Sequence, residues 1–440
     1  MTVSAEREGN PLTRALCKAT NVEPGELRAT LASFAFAFSL MTAYMILRPV
    51  RDSLSSDWSD EQLSWLWTST FFFSVIAVSF YGGVISRLRF KVMVPSVYAF
   101  FAATFVAFYI VARTTGESDL VNRAFYVWLS VFSLFHLSVF WSFMSRIYNK
   151  DQAKRTFSVI AFGVTLGAIV GPSVATFFAD DIGNINLLLV GAVLLLVPIP
   201  LIGVLERLRV DDLGNADAVD RLSSDSQLSA NPFSGFKTFA SDRYLLAIGG
   251  FILFYVTMNT FIYFELREAL AHLERDVRTQ YWGGIDLAVN LLAAVTALFA
   301  TGRLATRAGM STTLAIVPLL MVGGWFVVAV SPVLMVLIGL QVARRAGNYA
   351  VTRPGREMLF TIVNAETRFK AKPVIDIVVY RGGDVVMAWV YTAITATMGM
   401  GLAGVAVLSA IICAIWAGAG VFLGRSYEKE SLGGIKKHDS

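Results

Sequence analysis

The chain has 440 residues, of which 55% are apolar and 13% aromatic, while only 16% are charged. Soluble globular proteins carry about 25% charged residues, so this composition excludes an ordinary soluble protein. Apolar runs long enough to cross a bilayer, roughly 17 to 25 residues each, recur along nearly the whole sequence. The net charge of +5 is explained by basic loops that set membrane orientation, and we expect no nucleic-acid partner. The sequence therefore predicts a polytopic membrane protein whose partner is the lipid bilayer.

Apolar runs predict twelve transmembrane helices. The first run is long and lacks a cleavage signal after a short apolar core, so we expect a retained helix and not a removable signal peptide. The predicted helices lie near residues 30–50, 63–86, 92–112, 123–146, 156–179, 185–204, 244–266, 280–301, 311–330, 333–352, 374–396 and 400–424.

Lysine and arginine placement predicts the orientation. These residues concentrate in the N-terminal arm and in every second loop, whereas the connections at 179–185 and 396–400 hold none. Because basic loops stay on the cytoplasmic side, both termini are expected in the cytoplasm. We expect the protein in the inner (cytoplasmic) membrane of a bacterium.

The chain is predicted to contain two related halves. Asn10-Pro11-Leu12-Thr13 before the first helix resembles Asn231-Pro232-Phe233-Ser234 before the seventh, and other similar positions follow at similar offsets. Two parallel six-helix repeats around a central cavity form the major-facilitator arrangement. We therefore expect an all-α integral membrane protein of this type, and a monomer. The predicted segments are a cytoplasmic arm at 1–29, an N-terminal six-helix bundle at 30–204, a cytoplasmic linker at 205–243, a C-terminal six-helix bundle at 244–424 and a cytoplasmic tail at 425–440.

Charged side chains at the ends of the first and seventh helices are candidates for substrate binding. Ionisable groups inside a membrane helix are costly unless they face a wet cavity or a partner. Arg48 and Arg51 close the first helix, and Glu265 and Arg267 close the seventh. The alternative for Arg51 is a solvated helix end, since arginine stems can reach an interface. Pro49 is expected to loosen the helix end and to turn Arg48 toward the cavity.

The eleventh helix holds two opposite charges near mid-membrane. Arg381 and Asp384 are three positions apart, so both are predicted on one helix face. One interpretation is an internal ion pair that fixes helix packing. The other makes Arg381 an anion contact and Asp384 a substrate or proton site, with Gly382 and Gly383 permitting a close approach.

Asp286, Asp384 and His136 are the candidates for proton coupling. Asp286 shares a face of the eighth helix with Asn290, four residues later, and a structural role is an equal alternative. His136, in the fourth helix, could titrate near neutral pH. A lone intramembrane histidine can instead hydrogen-bond a neighbouring helix.

The segment from 343 to 372 is strongly basic. Its arginines could meet a cytoplasmic anion at an inner vestibule, because a guanidinium forms two parallel hydrogen bonds to phosphate. The alternative is the ordinary excess of basic residues in cytoplasmic loops. The arginines concerned are Arg344, Arg345, Arg353 and Arg356.

Cysteine and histidine placement argues against an enzyme. Cys17 lies in the polar arm and Cys413 in the last apolar run, so neither a disulfide nor a metal site is expected. The three histidines are dispersed at positions 136, 272 and 438. We therefore expect no catalytic residues, no metal and no cofactor.

Four stretches of the sequence are distinctive: ILRPVRDSL in the first helix, FWSFMSRIYNKDQAKRTFSVIAFGVTLGAIVG across helices four and five, RPGREM, and FKAKPVIDIVVYRGGD at the eleventh. Together they resemble motifs of the ATP/ADP carrier family, which exchanges nucleotides in plastids and obligate intracellular bacteria. The resemblance covers the chain from about Leu31 to Gly424 and is greatest to shorter members from free-living bacteria. It implies a major-facilitator fold and binding roles for Arg51, Arg356 and Arg381.

Two departures weigh against strict ATP/ADP exchange. Where the exchangers have a lysine after the equivalent of Arg381, this chain has Asp384, which would repel a polyphosphate. Where they tend to have a carboxylate or amide near the end of the fourth helix, this chain has Arg146.

The expected function is secondary active transport of a small anionic metabolite, such as a nucleotide in ATP/ADP-type antiport, by alternating access. The alternative is proton-coupled transport of a non-nucleotide organic anion or another solute, which a mid-membrane carboxylate favours. A sensor or lipid scramblase with a transporter fold is a third class. A membrane enzyme is the least expected, since the sequence offers no nucleophile-base pair or metal cluster.

Overall fold

The computed structural model describes residues 17, 20, 22–85, 90–116, 118–215, 234–297, 308–363, 367, 372 and 374–435. Within them the chain is nearly all helical, and each of the twelve predicted transmembrane helices coincides with a helical segment. These are α1 (Leu27–Leu54), α2 (Asp60–Ile85), α3 (Phe90–Thr115), α4 (Asp119–Ile147), α5 (Lys150–Ile182), α6 (Asn184–Leu194 and Pro198–Asp211), α7 (Arg243–Leu270), α8 (Arg275–Thr296), α9 (Gly309–Val330), α10 (Leu334–Gly347 and the π-helical Asn348–Thr352), α11 (π-helical Ile375–Gly382, then Gly383–Thr392 and Ala393–Thr397) and α12 (Leu402–Ile435).

Shorter helices occupy some of the connections. A 3₁₀ turn, Ser55–Asp57, follows α1, and a short helix, Ser234–Ser241, precedes α7. The α10–α11 connection begins with a helix, Arg353–Leu359, and a 3₁₀ turn, Phe360–Ile362.

Within the described residues, eight helices are long and apolar enough to cross a membrane: α1, α3, α4, α5, α6, α7, α9 and α12. The first half of α8 carries several charges, among them Arg275, Asp276 and Arg278. Helices α10 and α11 are interrupted by π turns. Such turns break the regular hydrogen-bond ladder and are frequent at functional sites.

Large apolar side chains are exposed on the outer faces of these helices. Ile76 on α2, Phe177 on α5, Leu320 on α9 and Phe422 on α12 are all more than half exposed. In water, so many exposed apolar side chains would drive association between molecules. In the hydrocarbon of a bilayer, their exposure carries no free-energy cost. A bilayer also requires that every backbone N–H and C=O group be hydrogen-bonded within the protein. Helices meet this requirement, because each helix makes these hydrogen bonds within its own segment.

The chain divides into two compact units. Unit 1 comprises Met1–Ser53, Phe72–Leu228 and Arg275–Leu287, and unit 2 comprises Leu54–Phe71, Ser229–Glu274 and Ala288–Ser440. The first half of α2 thus groups with unit 2, and the first half of α8 with unit 1. The predicted bundle boundaries, 30–204 and 244–424, stay a prediction.

In unit 1, glycines let α5 pack directly on α1. Gly163, Gly167 and Gly171 recur every fourth residue and so lie on one face of α5. A Cβ atom at Gly167 would come within 2.6 Å of the Phe38 carbonyl oxygen, and one at Gly163 within 2.7 Å of the Phe34 carbonyl oxygen. Only glycine fits such backbone contacts, which are typical of membrane helix pairs. The stripe fixes α1, and with it the charged side chains of its last turns.

In unit 2, a similar contact joins α12 to α9. A Cβ atom at Gly420 would lie 2.9 Å from the Leu314 carbonyl oxygen. Trp325 and Trp416 are fully buried on these two helices. Helices α9 and α12 therefore pack closely against each other.

One sequence expectation about a helix end and one about a side chain need correction. Helix α1 does not end at Pro49 but continues to Leu54, so Arg51 and Asp52 are intrahelical. An interior proline costs a helix about 3 kcal/mol through a lost hydrogen bond and a clash with the preceding turn, and α1 tolerates it. Helix α10 ends at Thr352, as the predicted tenth helix does, but Arg344 is fully buried and does not lie in a solvated vestibule.

Several positions discussed from the sequence lie outside the described residues. These are the repeated Asn-Pro motifs at 10–13 and 231–234, apart from the backbone of Ser234, most of the arm at 1–29, much of the linker at 205–243, the basic loops after α2 and α8, and the last residues of the tail.

Candidate functional site

The last turns of α1 carry an ion-pair cluster within unit 1, which we call the α1 cluster: Arg48, Arg51, Asp52 and Asp286. Arg51 donates from Nε and Nη2 to Oδ1 of Asp52, at 2.9 and 2.6 Å. Its Nη1 donates to Oγ of Ser130 on α4 at 3.2 Å. Asp52 is buried, with 2% exposure. The predicted anion contact Arg51 therefore already holds a carboxylate.

Arg48 bridges α1 and the first half of α8. Its Nε lies 3.6 Å from Oδ2 of Asp52 and 3.7 Å from Oδ2 of Asp286. Asp286 is 1% exposed. The α1 cluster thus contains two guanidinium groups and two carboxylates, and its formal charges cancel. The predicted anion residue Arg48 and the predicted proton site Asp286 are brought together as an ion pair.

His136 lies apart from these charges, among aromatic rings of unit 1. Its ring stacks on Tyr44 with centroids 4.3 Å apart, and Phe132 packs at 5.6 Å. Tyr98 donates its hydroxyl hydrogen to the backbone oxygen of His136, not to the ring. Within the described residues, neither ring nitrogen has a hydrogen-bond partner.

Unit 2 contains a second polar group deep among its helices, which we call the central arginine cluster: Asn259 on α7, Gln341 and Arg344 on α10, and Arg381 and Asp384 on α11. Arg344 is fully buried. Its Nη2 donates to Oδ1 of Asn259 at 2.8 Å and to Oε1 of Gln341 at 2.9 Å, and its Nε donates to the same Gln341 oxygen at 3.2 Å. Two neutral acceptors therefore hold this guanidinium in a fixed orientation.

Arg381 and Asp384 lie where α11 changes from a π helix to an α helix at Gly383. Asp384 interacts electrostatically with Arg381 and Arg344 and with the Asn259 amide. Its Oδ1 is buried and has no hydrogen-bond partner within the described residues. Gly383 packs against Leu253 and Val256 of α7, where a Cβ would meet them at 3.2 and 3.3 Å. The glycine therefore brings Asp384 close to α7.

Aromatic side chains cover one side of the central arginine cluster. The guanidinium carbon of Arg344 lies 5.4 Å from the ring centroid of Tyr255, within the range of a cation–π contact. Tyr255 packs on Tyr380 of α11 at 6.0 Å and on Trp416 of α12 at 6.1 Å. The face of the guanidinium is thus covered, and its edge remains for hydrogen bonds.

Glu265 and Arg267 lie elsewhere in unit 2, on the wall of a cavity of about 930 Å³. The Tyr391 hydroxyl donates to Oε1 of Glu265 at 2.8 Å. Arg267 pairs with Asp60, which also accepts from the Thr395 hydroxyl at 2.7 Å. Arg267 therefore carries its own carboxylate, like Arg48 and Arg51. Asp60 was not singled out from the sequence.

Arg356 belongs to a network in the α10–α11 connection. Its Nη2 donates to Oε1 of Glu357 at 2.8 Å, and Nζ of Lys372 donates to Oε2 at 2.6 Å. Burial works to raise the pKa of Glu357, but the hydrogen bonds from Lys372 and Arg356 outweigh it and hold that pKa below its ordinary value. Arg356 and Lys372, which are 16 positions apart in the sequence, thus meet around the Glu357 carboxylate.

Charge balance separates these groups. Arg48 and Arg51 are matched by Asp52 and Asp286, and Arg267 by Asp60. In the part of the chain that the structure describes, two groups keep a surplus of one positive charge. One is the network of Arg356, Lys372 and Glu357, in which Lys372 and Glu357 are more than one third exposed to solvent. The other is the central arginine cluster, which has two guanidinium groups against one carboxylate and in which Arg344 is fully buried. An anion binds most favourably where positive charge exceeds negative charge in a low-dielectric site. The arrangement therefore points to this cluster.

The sequence interpretation missed Asn259 and Gln341. Asn259 is an amide within the apolar run FILFYVTMNTFIYF, and Gln341 precedes Arg344 by one helical turn. Polar residues inside apolar helices mark functional or structural sites in general, so this signal was present.

The sequence profile of the Major Facilitator Superfamily matches residues 29–348, which is well over half of the chain. The chain belongs to this superfamily. A major-facilitator protein of this kind is a membrane transporter, as the solved structures below also are. None of the curated proteins compared with the sequence matches it.

Three solved structures share the major-facilitator fold with this chain. A POT family transporter in complex with a thioalcohol-conjugated peptide has a TM-score of 0.62 and 11% identity, over 91% of this chain and 96% of its own. The nucleoside transporter NupG has a TM-score of 0.60 and 12% identity, over 92% and 98%. A bacterial homologue of the human lysosomal transporter Spinster has a TM-score of 0.54 and 13% identity, over 96% and 99%. The TM-scores show a common fold, and identities of 11–13% carry the likeness no further.

Proposed function

We propose that this major-facilitator protein is a secondary active transporter that moves a small anionic metabolite by alternating access. The observation that carries the proposal is the surplus positive charge of the central arginine cluster. Burying a guanidinium costs several kcal/mol, and a purely structural role for Arg344 would be better served by a carboxylate partner of its own. Two neutral amides hold the arginine in place and leave its charge for a substrate.

In this proposal, the predicted site residues have different roles in binding the substrate. In unit 2, Arg381, Asp384 and Arg344 hold the substrate, and Glu265 and Arg267 line a separate cavity through which it passes. In unit 1, Arg48 and Arg51 bind the substrate only when Asp52 and Asp286 release them. Arg356 acts in the α10–α11 connection, beside Glu357.

A nucleotide is one substrate to test first, because the motifs resemble those of ATP/ADP carriers. In that version the protein is an antiporter, and one nucleotide balances another. The location that accords with this proposal is the inner membrane of a bacterium, with both termini in the cytoplasm and a monomer as the working unit.

Proton-coupled transport of a different organic anion is the second candidate. It is favoured by Asp384, a carboxylate with a buried oxygen that no described residue hydrogen-bonds. A carboxylate deep in the membrane and within reach of arginines can gain and lose a proton as the substrate binds. His136 and Asp286 are less suited to this role, because His136 packs among rings and Asp286 is paired with Arg48.

The test is uptake into proteoliposomes of the purified protein. Labelled ATP is offered to vesicles preloaded with ADP, and in parallel a labelled organic anion is offered to empty vesicles under an imposed pH gradient. Counterflow of ATP that Arg381→Ala abolishes would establish nucleotide exchange. Uptake driven only by the pH gradient, and lost in Asp384→Asn, would establish proton coupling. Absence of any anion uptake by folded protein would contradict the proposal.

A further inference from the structure

The net charge of the central arginine cluster limits the charge of its ligand. Arginine keeps its charge in proteins, and Arg381 and Arg344 are the charged groups that act on Asp384 within the described residues. Two positive charges against one negative charge leave one positive charge. A ligand with one negative charge makes the whole neutral, whereas a polyphosphate would leave an excess of buried negative charge beside Asp384.

Two polar atoms of the cluster define the ligand's hydrogen bonds. Nη1 of Arg344 is a buried donor without a partner, and Oδ1 of Asp384 is a buried acceptor without one, within the described residues. Buried polar groups in folded proteins are nearly always hydrogen-bonded. Since Arg344 and Asp384 interact electrostatically, one small ligand can reach both if it offers an acceptor to the first and a donor to the second.

The covered face of Arg344 sets the direction of approach. The ring of Tyr255 lies over the guanidinium, and Nη2 and Nε are occupied by Asn259 and Gln341. The Nη1 edge is the part left for a ligand. The N–H groups of Nη1 can donate a charge-assisted hydrogen bond to a carboxylate oxygen, with Arg381 as the second cation of that carboxylate.

We infer that the substrate is a small monocarboxylate that carries a hydroxyl group, with the carboxylate on Arg344 and Arg381 and the hydroxyl hydrogen donated to Asp384. This inference rests on the proposed function and narrows its substrate from anions in general to hydroxy acids of one negative charge. It also gives Asp384 a selective role, because the carboxylate accepts from the hydroxyl and repels a second negative charge. On this account ATP and ADP, with three or four charges, are poor ligands.

The experiment measures ligand-induced thermal stabilisation of the purified full-length protein in detergent. The probes are glycolate, lactate and 3-hydroxybutyrate, their hydroxyl-free analogues acetate, propionate and butyrate, the dicarboxylate malate, and ADP. We expect at least one hydroxy acid to stabilise the wild type at a concentration at least tenfold lower than its hydroxyl-free analogue, malate or ADP requires.

The Asp384→Asn variant tests the charge argument directly, because it raises the net charge of the cluster by one. It should shift the preference at least tenfold from the hydroxy acid toward malate. Asp119→Asn removes a carboxylate from an exposed surface pair with Arg123 and should leave the preference unchanged. If Asp384→Asn does not fold, Arg381→Gln, which lowers the net charge by one, should abolish discrimination between glycolate and the neutral glycolamide.

Three results would overturn the inference. The first is a wild type that prefers ADP or malate to every hydroxy acid, and the second is an Asp384→Asn variant with an unchanged preference. Either would leave anion transport standing, since anions would still bind. The third is a protein that none of these anions stabilises and that also takes up none of them into proteoliposomes, and this result would remove the proposed function as well.

Discussion

Nη2 of Arg344 donates a hydrogen bond to Oδ1 of Asn259 over 2.8 Å and thereby joins α10 to α7. Arg344 is fully buried, and a buried guanidinium needs acceptors for its five N–H groups. Asn259 and Gln341 supply acceptors without neutralising the charge. This relationship lets a positive charge persist inside unit 2.

Replacing Asn259 by leucine should destabilise the protein and weaken anion binding. The variant keeps the size of the side chain but removes an acceptor from a buried cation, which costs about 1–3 kcal/mol. Thermal unfolding in detergent measures the loss. Ser142→Ala is the control, since the exposed Ser142 hydroxyl donates to the Ser138 backbone oxygen of its own helix. Equal unfolding temperatures for the two variants would show that Asn259 does not hold Arg344.

The ion pair between Arg48 and Asp286 should be far more important for stability than a surface pair. Asp286→Asn leaves Asp52, 3.6 Å away, as the remaining carboxylate of Arg48, so the loss should approach, without exceeding, the cost of about 3–5 kcal/mol for breaking a buried pair completely. Asp119→Asn breaks an exposed pair at 2.7 Å, and such pairs contribute about 0–1 kcal/mol. Denaturant unfolding of both variants checks the difference. A double variant, Arg48→Met with Asp286→Asn, should recover part of the stability, and no recovery would argue against direct pairing.

Gly167→Ala should disrupt the packing of α5 on α1. The added Cβ would lie 2.6 Å from the Phe38 carbonyl oxygen and 2.9 Å from the Met41 Cβ, so the helices must separate. Overpacking of this kind costs about 1–3 kcal/mol.

Gly203→Ala provides the matched control for this substitution. It introduces the same methyl group in α6, where nothing lies within 4 Å. Because alanine favours a helix over glycine by about 1 kcal/mol, Gly203→Ala should be neutral or stabilising. Similar losses in both variants, by thermal unfolding, would contradict the α1–α5 contact.

Acid should weaken the network around Glu357. The pKa of Glu357 is held below its ordinary value of 4.5 by Lys372 and Arg356, so its contribution to stability is present above pH 4.5 and is lost as the pH falls through the folded-state pKa. Glu357→Gln lacks this contribution at every pH. The wild type should therefore exceed the variant in unfolding temperature at neutral pH, and the gap should close on acidification. A constant gap would show that the carboxylate is not the relevant group.

The sequence predicted the positions of the helices well, because apolar runs of membrane length leave little choice of structure. Helix ends were less predictable. Pro49 suggested an end that α1 does not have, since a proline and its flanking charges are tolerated where Asp52 and Asp286 balance the arginines. The division of α2 and α8 between two units depends on tertiary packing, which no local pattern encodes.

The sequence predicted which charged residues belong to the candidate site. It did not predict which of these residues form ion pairs with each other. Arg381 and Asp384 are recognisable from the sequence, because they are charged residues in an apolar helix. The central arginine cluster contains both. Which carboxylate neutralises which arginine follows from contacts between distant helices, such as Arg48 with Asp286 or Arg267 with Asp60. Arg344 was assigned to a basic inner vestibule, although the predicted tenth helix at 333–352 extends beyond it, because the sequence does not reveal that its guanidinium is buried between helices.

The most direct test of the central claim is anion counterflow into proteoliposomes by the wild type and by Arg344→Gln. The anion is the one that most stabilises the wild type, and Arg123→Gln, which breaks the pair with the exposed Asp119, is the control. The account predicts counterflow for the wild type and the control, and a loss of at least tenfold for Arg344→Gln at equal amounts of folded protein. Undiminished counterflow in Arg344→Gln would contradict an anion site at the central arginine cluster.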